Sequence, residues 1–425
     1  MKPTKIKIVH ICNTVKGGAG TAAYRIHVAL LNNNVNSHFL SLDEDLGHDY
    51  INCSKIEPLK ISSTSNFKNK FYYILKWRLV HHLNIYLSKR EKFEILFKKL
   101  YHKLDCEIAT LPFANYDILG NEFVVKADII HLHWIAGVVD YVSFFKKNKK
   151  PTVWTLHDMN PIQGLFHYKL DEERNKDFTF KLNADVLALK QKSIAKAKFK
   201  IYVVCPSLWL LKCVSKSKKF KKLESIEIGY PLDTNKFTGK VTKGFKEELQ
   251  INKENTIFLF VAQDVKNYRK GFDIFLDALK IIENKNITLL IIGKIENIAI
   301  PGIDIRIIGK INDNNLLNNY YSLSDVLILP SREDNLPNVM IEAMACGIPI
   351  ISFDVGGMSD VITNSFNGLK VTSFEAKELS KILLKFIETR QQFSSVQIRS
   401  FILKNYTDEI VFKKYESVYS SLVKN

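Results

Sequence analysis

Two α/β domains, each carrying a parallel sheet and facing one another across a cleft, are the architecture that three features of this 425-residue chain predict. The length exceeds what a single compact core supports, so two domains are expected. Short apolar segments alternate with amphipathic helical ones in both halves, the pattern of parallel strands covered by helices. A Gly/Pro-punctuated connection, Ile226-Glu227-Ile228-Gly229-Tyr230-Pro231-Leu232-Asp233-Thr234, stands between the halves.

The predicted strands of the first half are residues 6–12, 37–42, 127–133, 152–156 and 200–205; those of the second are 256–262, 287–292, 304–308, 325–329 and 348–353. Two Rossmann-like domains follow, residues 1–228 and 229–406, with a final helix over 407–425 that could pack back on the first domain. In open α/β sheets ligands bind beyond the carboxyl ends of the strands, so the cleft between the domains is the expected active site.

No apolar run approaches the roughly 18 to 20 residues that cross a bilayer, and 6–12 is too short for a signal peptide, so a cytosolic protein is expected. Six cysteines without a CxxC pair point to reduced thiols. The net charge of +17 is uneven: residues 1–228 hold 37 Lys+Arg against 21 Asp+Glu, and residues 229–425 hold 24 against 23. The basic first half contains an insertion at about 55–104, with Phe67, Phe71, Leu75, Leu79 and Leu83 at helical spacing among lysines. Such a segment either lies on an anionic membrane surface or packs on its own domain with a solvated lysine face. No recognisable nucleic-acid motif accompanies the charge, and no nucleic-acid partner is expected.

The most informative stretch is Pro330-Ser331-Arg332-Glu333-Asp334-Asn335-Leu336-Pro337-Asn338-Val339-Met340-Ile341-Glu342, where Asp334 and Glu342 stand eight residues apart across a loop that enters a helix. An acid in the loop can meet sugar hydroxyls, the free N–H groups of the new helix a diphosphate, and an acid within the helix the hydroxyls of a ribose. After the first strand, Gly17-Gly18-Ala19-Gly20 opens another helix and offers a second close backbone approach to phosphate. Gly18-x-Gly20-x-x-Ala23 also matches the dinucleotide fingerprint, with Asp43 at the ribose-acid distance, but the strand-to-glycine turn is too long for it. Asp43-Glu44-Asp45 is nominally a metal-binding DxD and is read as a loop cap.

His131 and His133 share one face of the third strand, and His157 and Asp158 follow the fourth, all near the cleft. The histidine pair lacks a convincing third metal ligand. Arg269-Lys270-Gly271 places two cations at a helix start, where their own placement is unfavourable unless an anionic ligand meets them.

Together with Cys346-Gly347-Ile348-Pro349-Ile350, Asp128 to Trp134, Val153 to Met159, Pro231 to Thr234 and Val355-Gly356-Gly357, these motifs resemble, over nearly the whole chain, the E-x7-E signature and surroundings of retaining GT-B glycosyltransferases of family GT4. The closest pattern is that of enzymes building bacterial surface polysaccharides such as colanic acid, O-antigen and capsule. The resemblance implies a GT-B fold with the acceptor on the N-terminal side, and transfer of a sugar from an NDP-sugar with retention. The expected acceptor is an oligosaccharide or polyprenyl-linked glycan at the inner membrane face. Neither metal nor other cofactor is expected.

By the same resemblance Glu342 would hold the donor ribose, Asp334 and His133 the transferred sugar, and Lys270 the diphosphate. Backbone N–H groups near Gly17, Gly18, Asn338 and Val339 would assist, and the base would sit near Lys310 and Ile311. The chain departs from the pattern in four places. Asp334 stands where Glu is usual, Pro337 where Gly is usual, and Gln263 where relatives often carry an arginine, whose charge either Arg269 would supply or Lys270, acting alone, would do without. Gly164 to Tyr168 lacks the cysteines of several relatives. The competing readings are another GT-B enzyme, an NDP-sugar epimerase or a phosphorylase, and a non-enzymatic basic protein that binds polysaccharide or nucleic acid.

Overall fold

The computed structural model describes residues 6–44, 46, 50–58, 88–283 and 286–423, folded into two sheets whose strands all pair in parallel, with helices packed around them. The first sheet has the order β3-β2-β1-β4-β5-β6-β7. Its strands are β1 (Lys7–Ile11), β2 (Asn36–Ser41), β3 (Cys53–Lys55), β4 (Ile129–Leu132), β5 (Thr152–Thr155), β6 (Ile201–Cys205) and β7 (Glu224–Glu227). The second has the order β10-β9-β8-β11-β12-β13, with β8 (Thr256–Asp264), β9 (Ile287–Lys294), β10 (Asp304–Gly309), β11 (Val326–Leu329), β12 (Ile350–Phe353) and β13 (Gly368–Val371). β4, β5, β11 and β12 are buried at every residue, as strands covered on both faces must be.

β3, β7 and β13 are absent from the strands predicted by sequence. All three are sheet edges of three or four residues, too short and too polar to register as apolar runs. Most of the basic amphipathic insertion (59–87), together with Asp45, lies outside the described residues. Among the described residues no helix is long and apolar enough to cross a membrane, and the six cysteines are all free thiols.

Each sheet reverses its winding once, between β1 and β4 in the first and between β8 and β11 in the second. Loops leave such a switch point toward opposite sides and open a crevice beyond the strand ends. The segments after these four strands carry Gly17 to Gly20, His133, Lys270 and Asp334, so these motifs spring from the switch points, whereas Lys310 and Ile311 follow the edge strand β10.

The chain crosses between the domains twice. Leu232 N–H donates to the carbonyl of Tyr406 at 2.8 Å, tying the two crossings together. Beyond Tyr406 the C-terminal helix (Asp408–Val423) packs on the Gly17–Asn32 helix of the first domain. There Tyr419 Oη lies 2.8 Å from His131 Nδ1, and Tyr415 Oη 3.0 Å from Thr155 Oγ1.

Candidate active site

Glu333, Asn335 and Asn338, in and just after the loop that follows β11, bond to the first domain. Glu333 accepts from the N–H groups of Lys169 (3.1 Å) and Leu170 (2.9 Å), capping the Lys169–Ile194 helix, whose own N-cap residue Tyr168 supplies no side-chain bond. Asn335 accepts from Ser207 Oγ at 2.6 Å and donates to the His157 carbonyl at 3.1 Å. The loop enters this tight space because Gly356 and Gly357 back it. A Cβ at Gly356, whose φ is +60°, would lie 1.9 Å from the Asp334 carbonyl oxygen, and one at Gly357 1.8 Å from that of Asn335.

Asp334 Oδ2 accepts from Lys270 Nζ at 2.6 Å and from Arg269 Nη1 at 3.0 Å. Burial alone would raise this carboxyl, but the two cations beside it hold it below the usual carboxylate range. Arg269 corrects the expectation of two cations awaiting an anionic ligand. Its guanidinium forks onto Glu107 (2.6 and 3.1 Å), bonds the Glu333 carbonyl at 3.0 Å, and lies 4.0 Å from the centre of the Tyr168 ring. A guanidinium only 5% exposed needs such saturation of its N–H groups. Arg269 is therefore an internal strut, and Lys270, 23% exposed, is the cation of the pair that keeps a face toward solvent.

The other wall of the crevice is the glycine loop. Gly17 has φ +72°, a conformation that side chains disfavour, and a Cβ there would come 3.7 Å from Gln263 Oε1 of the second domain. Asp43 pins this loop by accepting from Thr14 Oγ1 (2.9 Å) and Val15 N–H (2.7 Å), the capping role read from sequence. Asn338 Nδ2 donates to the Gly18 carbonyl at 2.9 Å. Asn338 opens the Asn338–Ala345 helix behind Pro337, which provides no side-chain cap, and the first N–H groups of a helix, here those of Asn338 and Val339, have no partner within it. One turn further in, Glu342 accepts from Arg25 Nη2 at 2.5 Å and from Tyr321 Oη at 2.8 Å. Lys310 and Ile311 follow β10, at the sheet edge two strands from β8; Lys310 is exposed and Ile311 half-buried against the core.

Behind the glycine loop lies a lattice of buried histidines. The β1–β4 register sets His10 opposite His131, and His133 and His157 follow β4 and β5. Tyr230 Oη is 2.9 Å from His157 Nδ1, His157 Nε2 is 3.1 Å from His133 Nδ1, and His133 Nε2 is 2.8 Å from His10 Nδ1. Burial pushes His157, and His27 nearby, down to about 4, and it drives His10, His131 and His133 well below the ordinary value. All are neutral at pH 7.

His10 brings a third imidazole to the pair that the sequence did not reveal: nitrogens of His10, His131 and His133 lie within 4.8 Å of one another. In the present arrangement, however, the His10 and His133 nitrogens face each other in a hydrogen bond, and those of His131 bond Thr155 and Tyr419. Both nitrogens of His133 are engaged, so a sugar contact requires one to let go. Asp158 points away from the loop, accepting from His167 (2.6 Å), Trp134 Nε1 (2.8 Å) and Asn160 N–H (2.9 Å).

Sequence reasoning missed Arg25, Glu107 and Tyr321. Arg25 and Tyr321 sit within helical patterns, Glu107 belongs to none, and only the tertiary fold gives each its partner.

The two parallel sheets with a crevice at both switch points form the fold of the sucrose-phosphate synthase of Thermosynechococcus elongatus. The two superpose with a TM-score of 0.67 at 16% identity, over 98% of this chain and 99% of that one. Sheets and crevice are those of the GT-B fold. More particularly, residues 242–398 match the family model described as glycosyl transferases group 1.

Among curated relatives, a protein of the cps region of Klebsiella pneumoniae, described as an uncharacterized 41.2 kDa protein, is 22% identical over 425 residues, spanning 98% of this chain and 100% of its own. The N,N'-diacetylbacillosaminyl-diphospho-undecaprenol alpha-1,3-N-acetylgalactosaminyltransferase of Campylobacter jejuni is 25% identical over 43% of this chain and 48% of its own length. The capsular polysaccharide biosynthesis glycosyltransferase CapM of Staphylococcus aureus is 26% identical over 46% and 52%. The match thus spans all of the first and about half of each of the other two.

Proposed function

We propose that the protein is a retaining, metal-independent GT4-type enzyme that moves a sugar from an NDP-sugar to a lipid-linked oligosaccharide during surface-polysaccharide assembly. The observation that carries this reading is the convergence of Lys270, Asp334, Glu342 and two helix starts, at Gly17 and at Asn338, on one crevice.

The difficult event is cleavage of the bond between the anomeric carbon and the diphosphate. Negative charge then grows on the departing nucleoside diphosphate, and groups aimed at that charge lower the barrier. Lys270 and the N–H groups at Gly17, Gly18, Asn338 and Val339 would supply them. Asp334, kept ionised by its cations, would accept from sugar hydroxyls, and Glu342 from the ribose. No paired-carboxylate glycosidase scheme is invoked; the acceptor hydroxyl would attack on the face that the diphosphate leaves, passing its proton to the departing oxygen.

A thermal-shift panel of UDP, GDP, ADP and CMP tests the donor site, because a ligand that binds only the native state raises apparent stability. One nucleotide is expected to raise the Tm of the wild type, and Glu342→Gln is expected to abolish most of that rise. No shift with any of the four would overturn the reading.

The acceptor side rests on different support. The first half holds the excess of basic residues, the Campylobacter relative is named for a diphospho-undecaprenol acceptor, and two relatives are named for capsule loci or capsule synthesis. Working from the cytosolic side, the protein would meet an anionic membrane surface. Liposomes with anionic lipid are expected to retain it at low salt and release it as the Debye length shrinks. Equal retention on neutral liposomes would remove this part.

A further inference from the structure

Both carboxylate oxygens of Glu342 are engaged. Its side chain is 7% exposed, with Oε1 held by Arg25 at 2.5 Å and Oε2 by Tyr321 at 2.8 Å. The two partners differ in kind. Tyr321 is fully buried within the same domain and supports the carboxylate from behind. Arg25 belongs to the first domain, sits two turns along the helix that begins at Gly17, and is 18% exposed.

We propose that Arg25 is a latch, occupying the ribose-accepting carboxylate until a nucleoside diphosphate displaces it. Donor entry and release of this interdomain contact are then a single event. The proposal rests on the assignment of Glu342 to the donor ribose. The Arg25 guanidinium carbon lies 5.9 Å from the centre of the Phe237 ring, and the long, flexible arginine stem lets this charged head swing to water. Ribose hydroxyls take the vacated lone pairs, while the diphosphate brings its charge to Lys270 and the helix starts. A ligand that must first undo a protein contact binds more weakly by the free energy of that contact. The apparent nucleotide affinity therefore carries the latch as a penalty.

Isothermal titration with UDP, GDP, ADP and CMP, on wild type, Arg25→Gln, Arg25→Lys and Glu342→Gln, separates the possibilities. The latch requires Arg25→Gln to bind the cognate nucleotide about three- to tenfold more tightly than wild type, with Arg25→Lys in between. Unchanged or weaker binding by Arg25→Gln overturns it. If that happens while Glu342→Gln still loses affinity, the latch is wrong and the donor site stands. If Glu342→Gln binds like wild type, or the wild type binds no nucleotide, the ribose assignment falls and the exchange with it. Small-angle scattering of the free proteins gives a second readout that needs no nucleotide. Arg25→Gln and Glu342→Gln should both show a larger radius of gyration than wild type, and equal radii contradict the latch.

Discussion

Acidification from pH 7 to pH 5 is expected to unfold this protein over a narrow range. His10, His27, His131, His133 and His157 are buried and neutral, with proton affinities depressed by burial to about 4 for His27 and His157 and well below the ordinary value for the others. In the unfolded chain each titrates near 6.5. Between that value and the folded one the unfolded state binds more protons, so stability is full above about pH 6.5 and falls as pH drops.

Each histidine contributes a slope of about 1.4 kcal/mol per pH unit, and five acting together approach ~7 kcal/mol per unit. That rivals the ~5–15 kcal/mol of a whole domain. Burial raises the carboxyls of Glu333, Asp171 and Glu227, whose folded-state proton uptake offsets part of the loss near pH 4 to 5. Circular-dichroism melts between pH 7.5 and 4.5 check this. A Tm that stays level from 7 to 5.5 would mean that the lattice is hydrated or already charged.

Lys270→Ala should lower kcat by about 10²–10³-fold, the usual loss when one fixed donor to a developing negative charge is removed. Its fold should survive, because the ammonium group is partly exposed and its partner Asp334 retains Arg269. Arg269→Ala should fail differently. It takes charge-assisted hydrogen bonds from Glu107 and from buried Asp334, which keeps Lys270, a loss of about 1.5–3 kcal/mol. Denaturant unfolding and single-turnover kinetics on both variants separate a chemical residue from a structural one. Equal loss of stability in the two would contradict the division of roles.

The sequence made the central strands and the donor loop legible because both leave local traces. Apolar runs mark the strands, and the Asp334–Glu342 spacing with a following helix marks the loop. What escaped is non-local. Glu107 meets Arg269 across 162 residues, and Arg25 meets Glu342 across 317. His10 could be seen inside a predicted strand, yet only the adjacency of β1 and β4 brings it to His131. Arg269 misled for the same reason: two adjacent cations look alike in sequence, and burial alone distinguishes the strut from the ligand contact.

The double crossing of the chain constrains how the enzyme can move. Two bodies joined by one strand may twist and tilt in any direction; joined by two strands bonded to each other, at Leu232 and Tyr406, they retain one easy rotation about the line through that seam. Because the C-terminal helix stays clamped to the first domain by Tyr415 and Tyr419, such rocking widens the gap between Gly17 and Gln263 and leaves the histidine lattice undisturbed. On the proposed function, turnover would resemble the working of a jaw: one side would part to admit and expel nucleotide, while the pivot side would keep its register from cycle to cycle.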